Sequence, residues 1–506
     1  MAFPHILAFS AIAIISSLLA KGRWRSWMVL IASVAALFWL QPLSPIRYLD
    51  FWLPVATLAL TVLVWLVVRA PKENPATPEI SQSDEAASMQ DSGLKPTVPP
   101  PADVPDTRRS LIATIALVLV IVLVVGALRY VEPLCCLTAS RPPQIWIVAL
   151  AILVIGALGF GLARVRPGAR WKPFFFIVLL IGLLVVLKTE TLAQAASAGL
   201  RSLMGQSTEY AAALDIRWLG VSYIFFRLIH TLRDRQTGVL PALSLREFIN
   251  YALFFPTLTA GPIDRADRFV KDARQPFRLS LNDAFEGGER IVIGIFKKFA
   301  LADTLALFAL NAVNATQTHS TGWLWVMLYA YAFRIYFDFA GYSDIAIGLG
   351  RLLGFRIPEN FDRPYLKTNL TAFWNSWHIT LAMWFRAYFF NPLSRAMRSG
   401  RVAIPTAVII AASQLSTMVL IGMWHGITWN FVIWGAWHGV GLFIHNRFAD
   451  LTRASQRRLN EKPRLKLVLD AVRVVLTFHY VALGWVWFAL PSVALSWDVM
   501  ARLFGF

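Results

Sequence analysis

Along this chain, long apolar runs alternate with short polar breaks, and the breaks are mostly basic. Runs over about 4–20, 26–42, 51–69, 110–129, 144–164 and 173–188 predict helices long enough to cross the hydrocarbon of a bilayer. Lys21, Arg23 and Arg25 follow the first run instead of preceding it, the reverse of a cleavable signal peptide. That order predicts a retained first helix, with its N-terminus extracytoplasmic and the first loop in the cytoplasm. The third run then ends on the cytoplasmic side as well. Arg164, Arg166, Arg170 and Lys172 mark a further cytoplasmic loop, so the pair at 110–164 crosses and returns without changing the orientation downstream.

Residues 71–107 break the pattern. They are rich in Pro, Ser, Ala and acids and finish in PTVPPPADVPD (96–106). Such a stretch buries too little apolar surface to offset its chain entropy, which predicts a disordered cytoplasmic linker. From 213 onward the segments are less uniform. WLGVSYIFFRLIHTLRDR (218–235) mixes aromatic residues with Arg227, His230 and Arg233. FFPTLTAGPIDRADRF (254–269) carries Pro256, Gly261 and Pro262, which interrupt a simple spanning helix. Non-helical backbone at membrane depth is tolerated where protein buries it or where it lines a watery cavity, so this stretch is expected to wall a channel or chamber. Helices are expected again at about 289–313 and 323–353. In the second, Arg334 and Asp338 lie four apart on one face and are expected to pair.

Two histidines mark the region after these helices. His378 lies in FWNSWHITLAMWFR (373–386), where Trp374, His378, Leu381 and Phe385 share one face of a helix by their spacing. By pattern alone it reads equally well as a core imidazole bonded to a neighbouring carbonyl. His425 lies in GMWHGITWN (422–430), between apolar runs at 404–424 and 427–446. Arg395, Arg398 and Arg401 precede the first run; Arg447, Arg453, Arg457 and Arg458 follow the second. If both clusters are cytoplasmic, the runs form a hairpin with His425 at its far end or deep within the membrane, next to Gly426 and among Trp424, Trp429 and Asn430. An ionisable group at such a depth is costly and marks a candidate functional site. A neutral imidazole there is suited to take a proton from a hydroxyl or thiol and return it to a leaving group.

Composition agrees with the pattern: 57% of the 506 residues are hydrophobic and 15% charged, where soluble domains carry about 25%. The net charge of +19 sits in short loops between apolar runs, which fits positive-inside topology and headgroup contact better than nucleic-acid binding. Cys135 and Cys136 are adjacent, a spacing that matches neither a zinc site nor a disulfide framework. They read as bystanders, or as a vicinal disulfide if their loop is extracytoplasmic. His378 and His425 are far apart for a helical zinc motif, so no metal is expected. The chain also lacks a phosphate-cradling Gly-rich loop and a Gly-x-Ser-x-Gly elbow.

YFDFAGYSDIAIGLGRLLGFRIPENFDRPY (336–365), FWNSWHITLAMWFR and GMWHGITWNFVIWGAWHG (422–439) resemble the bacterial membrane-bound O-acyltransferases. The resemblance covers 1–70 and 165–506. It implies an all-α polytopic bundle with a central tunnel or funnel and re-entrant segments. The expected organisation is N-terminal transmembrane helices at 1–70, the linker at 71–107, an inserted helix pair at 108–164 and a catalytic core at 165–506. It further implies His425 as catalytic residue and His378 in a catalytic or supporting role, with Trp424, Asn430, Trp429, Asn375 and Arg386 as tunnel or supporting residues.

The implied donor is an acyl thioester, on coenzyme A or a carrier-protein phosphopantetheine. The implied setting is the plasma (inner) membrane, and the implied partner is an extracytoplasmic acyltransferase- or esterase-like protein. LREFINYALFFPTLTAGPIDR (245–265) is similar to D-alanyl-transfer proteins of teichoic-acid operons, whereas WNFVIWGAWHG (429–439) is similar to alginate-type O-acetylation proteins. SRAMRSG after FFNPL (389–393) lacks the Gly-Gly turn of the acetylation subgroup, and WVWFALP (485–491) lacks its usual Arg. A transporter or flippase of an envelope precursor is the alternative reading, since intramembrane polar groups also line substrate paths. Internal repeats with broken helices would mark it, and neither the WHIT stretch FWNSWHITLAMWFR nor the WHG stretch GMWHGITWN occurs a second time. A catalytically inert assembly factor also fits the hydropathy. Deleting only residues 71–107 is expected to leave acyl transfer intact, measured as envelope ester content; total loss would mean that the linker docks a donor or partner.

Overall fold

The computed structural model describes residues 2–19, 24–69, 107–131, 137–165, 171–400 and 402–506. Lys21, Arg23, residues 71–106, the Cys135–Cys136 pair, Arg166, Arg170, Arg401 and the side chains of Arg457 and Arg458 lie outside that description. The apolar runs become α1 (Phe3–Leu19), α2 (Trp24–Trp39), α3 (Leu49–Val68), α4 (Arg108–Ala127), α5 (Ile145–Arg164) and α6 (Trp171–Lys188). α4 begins where the polar stretch ends, its first turn capped by the Thr107 hydroxyl, which accepts from Ser110 N at 3.3 Å. It packs on α2, and α5 packs on α3. Of α5 only Val148 is buried, so the pair forms a flank of the bundle that presents apolar surface outward.

After α7 (Glu190–Leu203), the mixed stretch forms one regular helix, α8 (Val221–Gln236), followed by α9 (Leu245–Ala252). The chain then runs without regular helix, except for one turn at Phe255–Thr257, until α10 (Ala266–Arg274). This interruption is buried within protein. Arg227 of α8, itself 1% exposed, satisfies its carbonyls. Nη1 donates to the Ala252 oxygen at 3.0 Å, and Nη2 donates to the Thr257 carbonyl and hydroxyl at 2.9 and 2.6 Å.

The helix expected at 289–313 is instead three pieces: α11 (Leu281–Ile295), a wide turn at Phe296–Ala302 and α12 (Asp303–Ala306), followed by α13 (Ala312–Gln317). A wide turn shifts the helical register, and here Lys297 and Lys298 both reach α14 (Thr321–Leu352). Lys297 pairs with Asp344 at 2.6 Å, and Lys298 pairs with Asp338. Asp338 is therefore held across helices by Lys298, not by Arg334 along its own helix.

The single helix expected around His378 is also broken. α15 (Leu370–Trp374) and α16 (Ile379–Phe385) are separate, with His378 between them at φ 44°. Trp374 and His378 therefore do not continue one helical face. α17 (Asn391–Arg398) leads to the predicted hairpin, α18 (Thr406–His425) and α19 (Trp429–Leu451), followed by α20 (Arg453–Asn460), α21 (Pro463–Ala489) and α22 (Val493–Leu503). Among the described residues six helices are long and apolar enough to cross a membrane: α3, α4 with its following turn, α5, α6, α18 and α21. No strand occurs among them, only an isolated bridge between Phe361 and Trp377.

α11 and α14 meet backbone to backbone through small residues. A Cβ at Gly294 would stand 2.6 Å from the Gly341 oxygen, and one at Gly348 would stand 2.6 Å from the Gly287 oxygen. Such contact without intervening side chains is how helices associate where no hydrophobic effect operates between them. Gly341→Val is expected to cost about 1–3 kcal/mol by overpacking, seen as a lower melting temperature in detergent.

Candidate active site

The α18–α19 hairpin brings His425 to the end of a helix, where close packing fixes its direction. A Cβ at Gly422 would lie 2.1 Å from the Phe431 oxygen, so the two legs touch just before the turn. The turn is pinned from outside the hairpin, because Ile427 N donates to the Lys188 carbonyl at the end of α6, at 3.1 Å. The His425 ring lies among aromatic faces, with centroids 4.5 Å from Trp424, 4.7 Å from Phe488, 5.7 Å from Trp434 and 5.9 Å from Phe431. It is partly exposed, and no hydrogen bond to it is formed among the described residues.

Trp424 joins this imidazole to the second one. Its indole is 6.2 Å from the His378 ring, 5.9 Å from Tyr223 and 5.6 Å from Phe226. The ammonium of Lys188 stands 6.0 Å from the same indole.

His378 is held by polar contacts on both sides. Its left-handed backbone is uncommon for a residue with a side chain and persists where the surroundings enforce it. Asn360 does so: its carbonyl accepts from Ile379 N at 3.0 Å, and its Oδ1 accepts from Thr380 N and Oγ1 at 3.3 and 2.9 Å. A backbone N–H can only donate, so Oδ1 is an acceptor, and His378 Nδ1, 3.2 Å from it, carries the proton. Nε2 then turns its lone pair toward the Tyr223 hydroxyl at 3.5 Å. Tyr223 is seated by the interrupted stretch, since a Cβ at Gly261 would meet its ring at 2.9 Å. Thr380 Oγ1 also accepts from Ile263 N at 3.1 Å, tying the same stretch to the His378 turn.

The other residues expected at the site are placed differently. Asn430 is buried and holds the C-terminal helices, donating to the Leu490 carbonyl at 2.9 Å and the Ser496 hydroxyl at 3.0 Å. Trp429 is 72% exposed on the outside of the hairpin. Asn375 and Arg386 are exposed and bond each other at 2.8 Å. Sequence pattern does not single out Tyr223, Asn360, Thr380, Lys188, Trp434, Phe488 or His438. Tyr223, Lys188, Asn360 and Phe488 come from elements outside the two histidine stretches, whereas Thr380, Trp434 and His438 lie within them but match no spacing rule around the two histidines. His438 alone carries a signal, the repeated Trp-His-Gly of GAWHG.

No group of three or more His, Cys, Asp or Glu side chains suited to hold a metal occurs among the described residues. A cavity of about 750 Å³ lies at the end of the bundle that carries Arg25. Glu359 and Asp344 on its wall are the chain neighbours of Asn360 and Ser343, and Asn360 donates to the Ser343 hydroxyl at 3.3 Å. Its charges are largely paired, Asp344 with Arg290 and Lys297, and Arg351 with Glu286.

Residues 228–483 match the profile of MBOAT, the membrane-bound O-acyltransferase family. The chain is 34% identical over 364 residues to the probable alginate O-acetylase AlgI of Pseudomonas syringae pv. tomato, covering 70% of this chain and 64% of that protein. It therefore spans a little under two thirds of that relative's length. It is 30% identical over 370 residues to the teichoic acid D-alanyltransferase of Streptococcus thermophilus, covering 70% of this chain and 84% of the relative. With the peptidoglycan O-acetyltransferase of Helicobacter pylori the identity is 32% over 268 residues, 52% of this chain and 48% of the relative. An all-α membrane bundle with two histidines against one indole, matched by that profile over half its length, belongs to the membrane-bound O-acyltransferase family.

Proposed function

We propose that this chain takes an acyl group, acetyl or D-alanyl, from a cytosolic thioester for O-acylation of an envelope polysaccharide or teichoic-acid-like polymer across the membrane, with His425 as general base. The observation that carries the reading is the His425 imidazole: it ends a membrane-length helix, is partly exposed and is walled by aromatic rings, with no hydrogen bond among the described residues to occupy it. Its free nitrogen removes the proton of an acceptor hydroxyl as that oxygen attacks the thioester carbonyl. The carbonyl electron pair moves onto oxygen. Collapse of the tetrahedral intermediate then expels the thiolate, which takes the proton back from the imidazolium. Lys188, the cation beside Trp424, stabilises the oxyanion through a low-dielectric site. His378, locked by Asn360, orients the Tyr223 hydroxyl at the other face of Trp424.

The chain resides in the plasma (inner) membrane with its N-terminus outside, a reading supported by the basic residues that follow α1 and by the basic ends of the hairpin. Coenzyme A or an acyl-phosphopantetheine carrier protein delivers the thioester to the cytoplasmic side, where the 750 Å³ cavity adjoins the Asn360 network. An extracytoplasmic acyltransferase- or esterase-like partner passes the group to the polymer. The names of the relatives support both acyl groups, acetyl through alginate and peptidoglycan, D-alanyl through teichoic acid.

His425→Ala is expected to lower envelope ester by about 100-fold or more at normal protein abundance; unchanged ester refutes the reading. Mass spectrometry of the acid released from the wild-type envelope decides acetate against D-alanine. Lys188→Met is expected to lower kcat about 100-fold with KM little changed, and Lys188→Arg to retain most activity, in a reconstituted transfer assay.

A further inference from the structure

The most heavily buried imidazole of the chain is neither His378 nor His425. His438 of α19 is 0% exposed, and neither of its ring nitrogens has a hydrogen-bond partner. The indole nitrogens of Trp374 and Trp434, which flank it, are also buried and without partners. The His438 ring is 5.1 Å from Trp374 and 5.0 Å from Trp434 by centroid, edge to face in both cases. Room for it is made by the opposite helix, where a Cβ at Gly484 of α21 would lie 2.8 Å from Nε2. Space-filling alone does not account for this choice. An apolar side chain would fill the space without leaving two polar nitrogens unsatisfied, and unsatisfied polar groups are costly in a water-free interior.

We infer that His438, Trp374 and Trp434 form an internal-water site, and that this water fixes the spacing between the two halves of the candidate active site. The donors and acceptors suit water: two indole N–H groups donate, and the neutral imidazole supplies one donor and one acceptor. Buried waters commonly satisfy buried polar groups that have no protein partner. The location supplies the function. Trp434 stands between His438 and His425, its ring 5.7 Å from the latter. Trp374 ends α15, whose chain continues directly into the turn that sets His378. A water bridging the two indoles through His438 therefore ties the His378 turn to the His425 hairpin. His438 is a positioning residue, acting through Trp434 and Trp374, and the effect on turnover rests on the acyl-transfer function proposed for the site.

The test uses the full chain reconstituted in lipid, with acyl transfer and thermal melting measured side by side. His438→Phe keeps an aromatic side chain, slightly larger, and removes both nitrogens. The expected result is a melting temperature equal to or above wild type, with kcat lowered about 10-fold and donor KM unchanged. His438→Gln, which keeps a donor and an acceptor, is expected to recover part of that loss. Full activity in His438→Phe overturns the inference, because a core imidazole that only fills space would give that result. If His438→Phe does not fold, Trp374→Phe and Gly484→Ala disturb the same seat from two other elements and are expected to lower kcat in the same direction; unchanged kcat in both overturns it. A high-resolution cryo-EM map of the wild-type chain reads the site without any assay. Density for water among the three side chains supports the inference even if His425→Ala proves active, and its absence in a well-resolved map overturns it.

Discussion

One guanidinium holds the site region together. Arg227 lies at the centre of a bundle that offers its backbone no water, and it bonds the carbonyls of Ala252 and Thr257 and the Thr257 hydroxyl. Without a donor there, the helix break after α9 would leave carbonyls unsatisfied in a dry interior, at a cost of about several kcal/mol each. With it, the chain can abandon helical geometry over residues 254–264 and pass close to α8. Tyr223 sits one helical turn before Arg227 on the same face of α8. The contact that satisfies the break thus also places Gly261 against the Tyr223 ring and brings its hydroxyl to His378.

The same need to satisfy polar groups governs His378. Asn360 receives four groups of the His378 turn, the backbone N–H of Ile379 and Thr380, the Thr380 hydroxyl and the imidazole. Those bonds hold a residue in left-handed geometry and decide which ring nitrogen bears the proton. His425 is organised on the opposite principle. Its direction comes from Gly422, where the legs touch, and its surroundings are aromatic rings that form no hydrogen bond with it among the described residues. One imidazole is held by neighbours on both sides and the other has no hydrogen bond among the described residues, the division that the proposed roles of base and support call for.

Long-range ion pairs place the remaining walls. The wide turn after α11 sends Lys297 and Lys298 to Asp344 and Asp338 on α14, and Arg290 joins Asp344 to Glu359. α14 is thereby locked against α11 on the side that leads to Asn360. The glycine contacts between the two helices permit this approach, since any side chain at Gly294 or Gly348 would separate the backbones.

The order of residues alone is enough to specify the spanning helices, the hairpin that carries His425 and a break within residues 254–264. Hydrophobic length and proline or glycine punctuation are local properties, and the bilayer converts them directly into structure. Both histidines stand out in the same way, because an imidazole in apolar sequence is visible without a fold. Their partners do not. Asn360 lies 18 residues from His378, Tyr223 lies 155 from it, and Phe488 meets His425 from another helix. Asn375 and Arg386 look like site residues by proximity in sequence, yet they bond each other at the surface. Asp338 looks like a partner for Arg334 at helical spacing, yet it is taken by Lys298 from the turn after α11. These pairings belong to the folded bundle, because a hydrogen bond or ion pair depends on which helix faces come together, and packing sets that.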